Sequence, residues 1–270
     1  MQKTILITGS TDGIGLETAR MLVSLGHKVL VHGRSAAKLA AVEQKLLAIA
    51  NASGQVESYV ADLSVMANVE TLAKVVAQKH KELDVLINNA GVYGVVENVT
   101  KEGLDTRFAV NTIAPYLLTK RLLPLLGRSG RVINLSSAAQ FPVDLQALVG
   151  RAELSDGAGY AQSKLAITMW SRSMALSLGE GGPAIIAVNP RSMLGSKMVK
   201  EAYGVAGSDL RIGAEILCRA ALSGAFAAAS GRYFDNDIGQ FTSPHPDALD
   251  PQKCEALVGT IETILADILK

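Results

Sequence analysis

Cysteine is nearly absent from this chain: Cys218 and Cys254 stand 36 positions apart (254 − 218) in 270 residues. Neither a zinc site nor a redox motif has its close paired spacing here, so both read as buried or incidental thiols. The four histidines, His27, His32, His80 and His245, also lack metal-ligand spacing and fall outside the expected site, and no metal is predicted. Excess charge of one sign is missing too. Lys plus Arg number 26 against 25 Asp plus Glu, a net charge of +1 that gives no reason to expect a nucleic-acid or acidic-membrane partner. No apolar run approaches the roughly 20 residues of a membrane-spanning helix. The stretch Thr4 to Thr8 is too short for a signal peptide, so a cytoplasmic protein without a membrane partner is the expectation. Internal repeats, low-complexity tracts and linkers are absent as well.

What remains is a composition with 49% hydrophobic and 19% charged residues, which suits a folded chain with a well-covered core. Short β-branched runs alternate with longer helical patterns, the signature of βαβ units around a parallel sheet. Ile5 to Thr8, Val29 to His32, Val56 to Val60, Val85 to Asn88, Val132 to Ser136 and Ile185 to Asn189 read as six strands, with Tyr233-Phe234 a weaker seventh. Between them, apolar residues recur at helical spacing, as in Leu39, Val42, Leu46 and Ile49 after a capping Ser35; Ser64 is placed to cap the next helix. The expectation is one α/β domain over 1–270, a doubly wound, Rossmann-type parallel sheet of about seven strands with helices on both faces. Its ligand crevice should lie beyond the carboxyl ends of the strands. Two segments interrupt the alternation: 138–157, read as an inserted substrate-side loop, and 235–270, read as a C-terminal loop and helix. Leu117 to Leu126 and Leu165 to Leu178 carry apolar residues on more than one side, which fits either a homo-oligomer or burial by the long loop.

After the first strand comes Thr8-Gly9-Ser10-Thr11-Asp12-Gly13-Ile14-Gly15, leading into a helix. Glycines here permit a tight turn and close approach of backbone to a pyrophosphate, with the helix N-terminus supplying N–H donors. Such a turn can also be purely structural. At the end of the second strand, a fold that selects NAD(H) places an acidic residue against the ribose 2′-hydroxyl. Here His32-Gly33-Arg34-Ser35 stand instead. Arg34 offers a fork of donors suited to a 2′-phosphate, so NADP(H) is favoured over NAD(H), although an Arg that merely caps a strand is the plainer reading and Asp12 sits in the turn itself.

Tyr160 and Lys164 lie four apart at the start of a helical stretch, which puts both on one face. An ammonium beside a phenol favours the ionised phenol and so makes it a usable acid/base. Upstream, Val132-Ile133-Asn134-Leu135 ends in Ser136-Ser137, of which Ser137 is the preferred donor to a reacting carbonyl oxygen and Ser136 the rival. Alone, a Tyr-x3-Lys pair is often ordinary helix surface. Together with the glycine turn, Asp62-Leu63, Asn88-Asn89-Ala90-Gly91 and Asn111, in this order, the chain resembles the short-chain dehydrogenase/reductase family over nearly its whole length.

The resemblance implies that Ser137 polarises the substrate oxygen and that Tyr160 gives or takes the proton. It implies further that Lys164 binds the nicotinamide ribose and lowers the Tyr160 pKa, while Asn111 supports a water in the proton relay. Gly9, Ser10, Thr11, Asp12, Gly13, Ile14, Gly15, Arg34, Asp62, Leu63, Asn89, Ala90, Gly91 and Pro190 would line the cofactor site along with Tyr160 and Lys164. Two departures stand out. Tyr160 follows Ser137 by 23 positions (160 − 137), a lengthened segment that resembles retinol-dehydrogenase-like members, and Arg191 follows Pro190 where the family usually has glycine. Tyr93, Met193, Met198 and Tyr203 are suited to an apolar substrate pocket or equally to core packing. The expected function is NADP(H)-dependent interconversion of a small-molecule carbonyl and alcohol. The rival is a non-catalytic NADP(H)-sensing binding protein on the same fold. Epimerase or dehydratase chemistry on a nucleotide sugar is disfavoured by the short tail.

Overall fold

The structure is a computed structural model, and it describes residues 1–49 and 56–270. Six strands, β1 (Thr4–Ile7), β2 (Lys28–Gly33), β3 (Val56–Val60), β4 (Val85–Asn88), β5 (Arg131–Leu135) and β6 (Ala184–Asn189), match the six stronger sequence runs within a residue or so. Two short strands follow, β7 (Tyr233–Asp235) and β8 (Gln240–Thr242). They join one sheet in the order β3-β2-β1-β4-β5-β6-β7-β8, parallel throughout except for β8, which runs antiparallel to β7. Order reverses at β1, which pairs with both β2 and β4, so the crevice expected of a doubly wound sheet opens above the ends of β1 and β4.

Side chains alternate across this sheet. Ile5, Ile7, Val29 and Val31 face one apolar layer, closed by helices α1 (Gly13–Ser24), α2 (Ala36–Leu47) and, later in the chain, α9 (Leu210–Leu222). Leu6, Leu30 and Leu86 face the other, closed by α3 (Met66–Lys79), α5 (Ala114–Leu122), α7 (Asp156–Leu178) and α10 (Pro251–Ile268). Of the shorter helices, α4 (Thr106–Phe108) runs through a π turn, Ala109–Ile113, into α5, α6 (Leu145–Leu148) lies in the long loop, and α8 (Lys197–Tyr203) follows β6.

Two local expectations need correction. The eighth strand lies in a segment read as loop, because three residues are too few to show a period; Phe241 holds it there, with its ring 4.9 Å from Phe226 and 5.0 Å from Phe234. Ser64 does not cap α3. Its hydroxyl donates to Asp62 at 2.8 Å, and the Met66 N–H is met instead by the carboxylate of Glu102, 36 positions away, at 3.1 Å. Within the chain, the stretch 117–126 packs on α3 and the stretch 165–178 on α10, and Leu257, Ile261 and Leu265 of α10 share one core with Leu117, Leu165, Trp170 and with Ala147 and Leu148 of the long loop. Glu262 ties that helix down by accepting from Tyr116 and from Lys120, the latter at 2.6 Å.

Candidate active site

Beyond the carboxyl ends of β1, β2, β4, β5 and β6 lies a cavity of about 660 Å³ that reaches from Arg34 and Lys38 at one end to Tyr160, Lys164 and Pro190 at the other. Its floor is the glycine turn. Gly9 has φ of +64°, and a Cβ there would come within 2.8 Å of the Ala90 backbone. Gly15 is pressed even more closely, since an added Cβ would strike the Asn89 side chain and the Gly9 carbonyl. Asn89 braces this packing by donating to the Thr8 and Gly9 carbonyls at 2.9 and 3.0 Å. The Thr8 hydroxyl in turn accepts the Asn89 and Ala90 N–H groups at 3.0 and 3.1 Å. Two loops from adjacent strands are thereby fastened into one rigid cradle.

Thr11, Asp12, Gly13 and Ile14 also line the cavity, as do Asp62, Leu63, Asn89, Ala90 and Gly91. Ser10 does not. Its hydroxyl turns into the protein, donating to the Ile7 carbonyl at 3.0 Å and accepting the His32 N–H at 2.8 Å, while its own N–H is spent on the His32 carbonyl. Being fully buried, Ser10 shapes the turn and has no donor left for a ligand. Asp12 caps α1 by accepting the Gly13 N–H at 2.7 Å, so one carboxylate already stands at that N-terminus.

Two residues near the cradle went unrecognised in the sequence. His32, assigned no part in the site, accepts the Gly9 N–H on Nδ1 at 3.1 Å and donates from Nε2 to the Ala61 carbonyl at 3.2 Å, a pairing that requires the neutral Nε2–H tautomer. Burial drives its pKa down to about 4, against the smaller opposing effects of the Ala61 carbonyl and Asp62. Lys38, in the first turn of α2, lies on the cavity wall with Arg34. Its place in the first turn of a helix that starts directly after Arg34 and its cap Ser35 was the signal that could have found it.

At the other end α7 carries Tyr160 and Lys164 on one face. The Lys164 ammonium donates to the Leu135 carbonyl at 2.8 Å and sits 5.5 Å from the centre of the Tyr160 ring. Ser137 lies close enough to the Tyr160 phenol to lower its pKa, whereas Ser136 stands on the cavity wall with its hydroxyl engaged to Thr168 at 2.7 Å and the Lys164 carbonyl at 3.1 Å. The two serines are thus distinguished by their partners, since the Ser136 hydroxyl is already spent on α7 and Ser137 is the one that acts on the phenol. Asn111, within the π turn, uses its whole amide locally. It accepts from the Val92 N–H at 2.8 Å and donates to the Val92 carbonyl and the Ser163 hydroxyl, both at 2.9 Å.

The expected lowering of the Tyr160 pKa by Lys164 is not what the structure shows for the chain by itself. Burial raises the phenol to about 12 against the lowering bond from Ser137, with Tyr203 and Tyr93 raising it further. Burial also pulls the Lys164 ammonium down to about 8. Desolvation penalises the charged form of both groups and outweighs their attraction.

Of the long segment 138–157, only Asp156 touches this cavity. The rest is pinned to α7, with the Phe141 N–H on the Ala161 carbonyl at 3.3 Å and the Asp144 N–H on Gln162 at 2.9 Å. Tyr93 and Met198 line the cavity. The Tyr203 ring meets that of Tyr93 at 5.7 Å and Tyr93 that of Tyr160 at 5.1 Å, both tilted, while Met193 is not part of the cavity wall and is 42% exposed. Arg191 is likewise off the cavity wall, close enough to Asp237 to help hold that carboxyl in its charged form. Among the described residues, no cluster of His, Cys, Asp and Glu could hold a metal ion, and no helix is long and apolar enough to cross a membrane.

Comparison with known proteins agrees with this geometry. Human retinol dehydrogenase 12 is 31% identical over 261 residues, covering 90% of this chain and 80% of that protein. Human polyprenol dehydrogenase is 34% identical over 193 residues, which is 68% of this chain but only 58% of the length of that relative. Among solved structures, a metagenomic short-chain oxidoreductase in complex with NADP is 30% identical with a TM-score of 0.61, over 81% of this chain and 90% of its own. The model of the short chain dehydrogenase family matches residues 3–204, from the first strand through Tyr160 to the helix beyond Pro190, and the chain belongs to that family of oxidoreductases.

Proposed function

We propose that this chain interconverts a carbonyl and an alcohol with NADP(H), using Tyr160 as general acid/base. The observation that carries the reading is the meeting of Ser137 and Lys164 on Tyr160 at one end of a glycine-floored cavity whose other end is basic. The cavity fits a dinucleotide. Gly9 and Gly15 leave the cradle open where side chains would fill it, and the α1 N-terminus offers donors to a pyrophosphate. Arg34 and Lys38 supply two cations where a 2′-phosphate would lie, with no carboxylate from the end of β2 to repel it. Asp62 and Leu63 border the adenine side, and Pro190, Gly91 and Lys164 the nicotinamide side.

The cofactor supplies hydride chemistry when bound. The side chains of the chain supply the proton and the electrostatics. A phenol raised to about 12 is protonated at neutral pH and so is ready to donate to an alkoxide forming from the carbonyl. Ser137, near enough to the same phenol to lower its pKa, would donate to that oxygen as negative charge develops. Lys164, charged at neutral pH and anchored on Leu135, stabilises the phenolate left behind. Asn111 spends its amide on Val92 and Ser163 and so positions the loop after β4 beside the proton donor.

For the substrate, the Tyr93 and Met198 wall, with Tyr203 against Tyr93, favours an apolar molecule, and the two relatives compared are named for apolar alcohols, retinol and polyprenol. Oxidation of NADPH and of NADH across a panel of apolar aldehydes and ketones tests the reading, with faster turnover expected from NADPH. Tyr160→Phe should cut turnover by roughly 10²- to 10⁴-fold while leaving NADPH binding nearly intact. Tight NADPH binding without turnover by the unmutated chain would instead favour a sensing role.

A further inference from the structure

The loop after β6 is held in a backbone conformation that its residues resist. Arg191 has φ of +124° and Met193 has φ of +55°, both in the region that favours glycine. Immediately before them, Pro190 forms part of the cavity wall. Beyond Met193 the loop is held by Ser208, whose N–H donates to the Met193 carbonyl at 2.8 Å, and before it the restraint comes from the β7–β8 turn. Asp237 accepts the Ser192 N–H at 2.9 Å and the Ser192 hydroxyl at 2.6 Å. It also accepts from the Asn189 amide at 2.8 Å, a donor that Asp235 shares at the same distance. Asn189 itself is buried, and its Oδ1 takes the Arg191 N–H at 3.3 Å. From the same turn, Asn236 donates to the Pro190 carbonyl at 3.0 Å.

We infer that Asp237 is a positioning residue for the cofactor site: it clamps the strained Arg191–Met193 turn and thereby keeps Pro190 on the cavity wall. Asn189, Pro190 and Ser192 each bond directly to this turn, and Arg191 is tied to it through Asn189, so the loop follows the hairpin and not its own torsional preference. The carboxylate suits the task because it accepts three bonds at once. Burial opposes its charge, yet the Ser192 and Asn189 bonds and the nearby Arg191 cation hold its pKa below the usual carboxylate value. A glycine in place of Arg191 would meet no such strain and would need no clamp. Asp237 and Arg191 are therefore coupled.

The inference rests on the nicotinamide lying beside Pro190, as proposed above, and a double-mutant cycle separates the two. NADPH binding is measured for the parent, Asp237→Ala, Arg191→Gly and the double variant, together with binding of 2′-phospho-ADP-ribose, which lacks the nicotinamide. With Arg191 present, Asp237→Ala should weaken NADPH by about fivefold or more and the fragment by less than about twofold; in the Arg191→Gly background, the NADPH loss should shrink to less than about twofold. Asp237→Asn, which keeps one acceptor, should fall between parent and alanine. An equal loss in both backgrounds, or an equal loss for the fragment, overturns the clamp. If the binding pattern appears but no carbonyl is turned over, the oxidoreductase reading fails and the clamp stands. If the parent binds neither NADPH nor NADH, both fall.

Discussion

The Nδ1 of His32 accepts the Gly9 N–H at 3.1 Å, tying the end of β2 to the first glycine of the glycine-rich turn. That bond exists only while the ring is neutral at Nδ1, and burial keeps it so by lowering the pKa to about 4. Above the unfolded value of about 6.5, folded and unfolded chains both carry neutral His32 and the site adds no pH dependence. As pH falls below that value the unfolded chain binds a proton first, so stability declines until the folded pKa is passed. The difference amounts to roughly 3 kcal/mol. Urea unfolding from pH 7 to 4 should show this loss in the parent and a shallower decline in His32→Gln. Parallel slopes for the two proteins would refute it.

Arg34 and Lys38 divide the same task unequally. Arg34 can meet a phosphate with two parallel donors, whereas Lys38 contributes a point charge on a flexible stem. Removing the guanidinium should cost on the order of 10- to 100-fold in NADPH affinity, as for a hydrogen bond to a charged group. Lys38→Ala should cost less, and neither substitution should weaken NADH much. Titrations with both cofactors check this; equal losses for NADPH and NADH would remove the 2′-phosphate assignment.

The pH profile follows from the lysine. Lys164 carries its proton at pH 7 and loses it as pH rises through about 8. In the proposed mechanism reductive turnover needs that charge to stabilise the phenolate formed at Tyr160, so kcat should hold near neutrality and fall between about pH 7 and 9. In the oxidative direction Tyr160 must first be deprotonated, and its phenol at about 12 makes rising pH favourable until the lysine charge is gone. The two directions should therefore slope oppositely near neutrality. A flat reductive profile across that range would exclude Lys164 as the controlling group.

Much of this was legible in the sequence because local period and local chemistry coincided there. Val85-Leu86-Ile87 reads as a buried parallel strand, and Tyr160 and Lys164 share a helix face whatever surrounds them. Elsewhere a side chain's direction was decided by distant partners. Ser10 lies inside the glycine motif yet turns inward to His32, and Ser64 yields its capping position to Glu102. His32 looked like one more unpaired histidine because its partners, Gly9 and Ala61, offer only backbone atoms that no residue pattern displays. The Asp237 clamp was hidden for the same reason: positive φ at Arg191 is a property of the fold, visible in the sequence only as a missing glycine.

One buried cation fixes the helix that carries Tyr160, the proposed proton donor. Arg107 is 1% exposed and meets Asp105 at 2.5 Å, Asp156 at 2.6 Å and the Leu154 carbonyl at 3.2 Å. Asp156 is the first residue of α7, and Gly159, next to Tyr160, packs so closely on the guanidinium that an added Cβ would lie 2.9 Å from its central carbon. Arg107→Met would strand the Asp105 carboxylate, 6% exposed at its side chain, and should destabilise the fold by about 3 to 5 kcal/mol. Gly159→Ala tests the same contact more gently, because it pushes the helix off the guanidinium without removing either partner of the ion pairs. Its effect on kcat should exceed what its loss of melting temperature would suggest, since the displacement falls one residue from Tyr160. Thermal unfolding beside steady-state kinetics separates the outcomes: a kcat unchanged in Gly159→Ala would mean that Arg107 supports the fold without positioning the phenol.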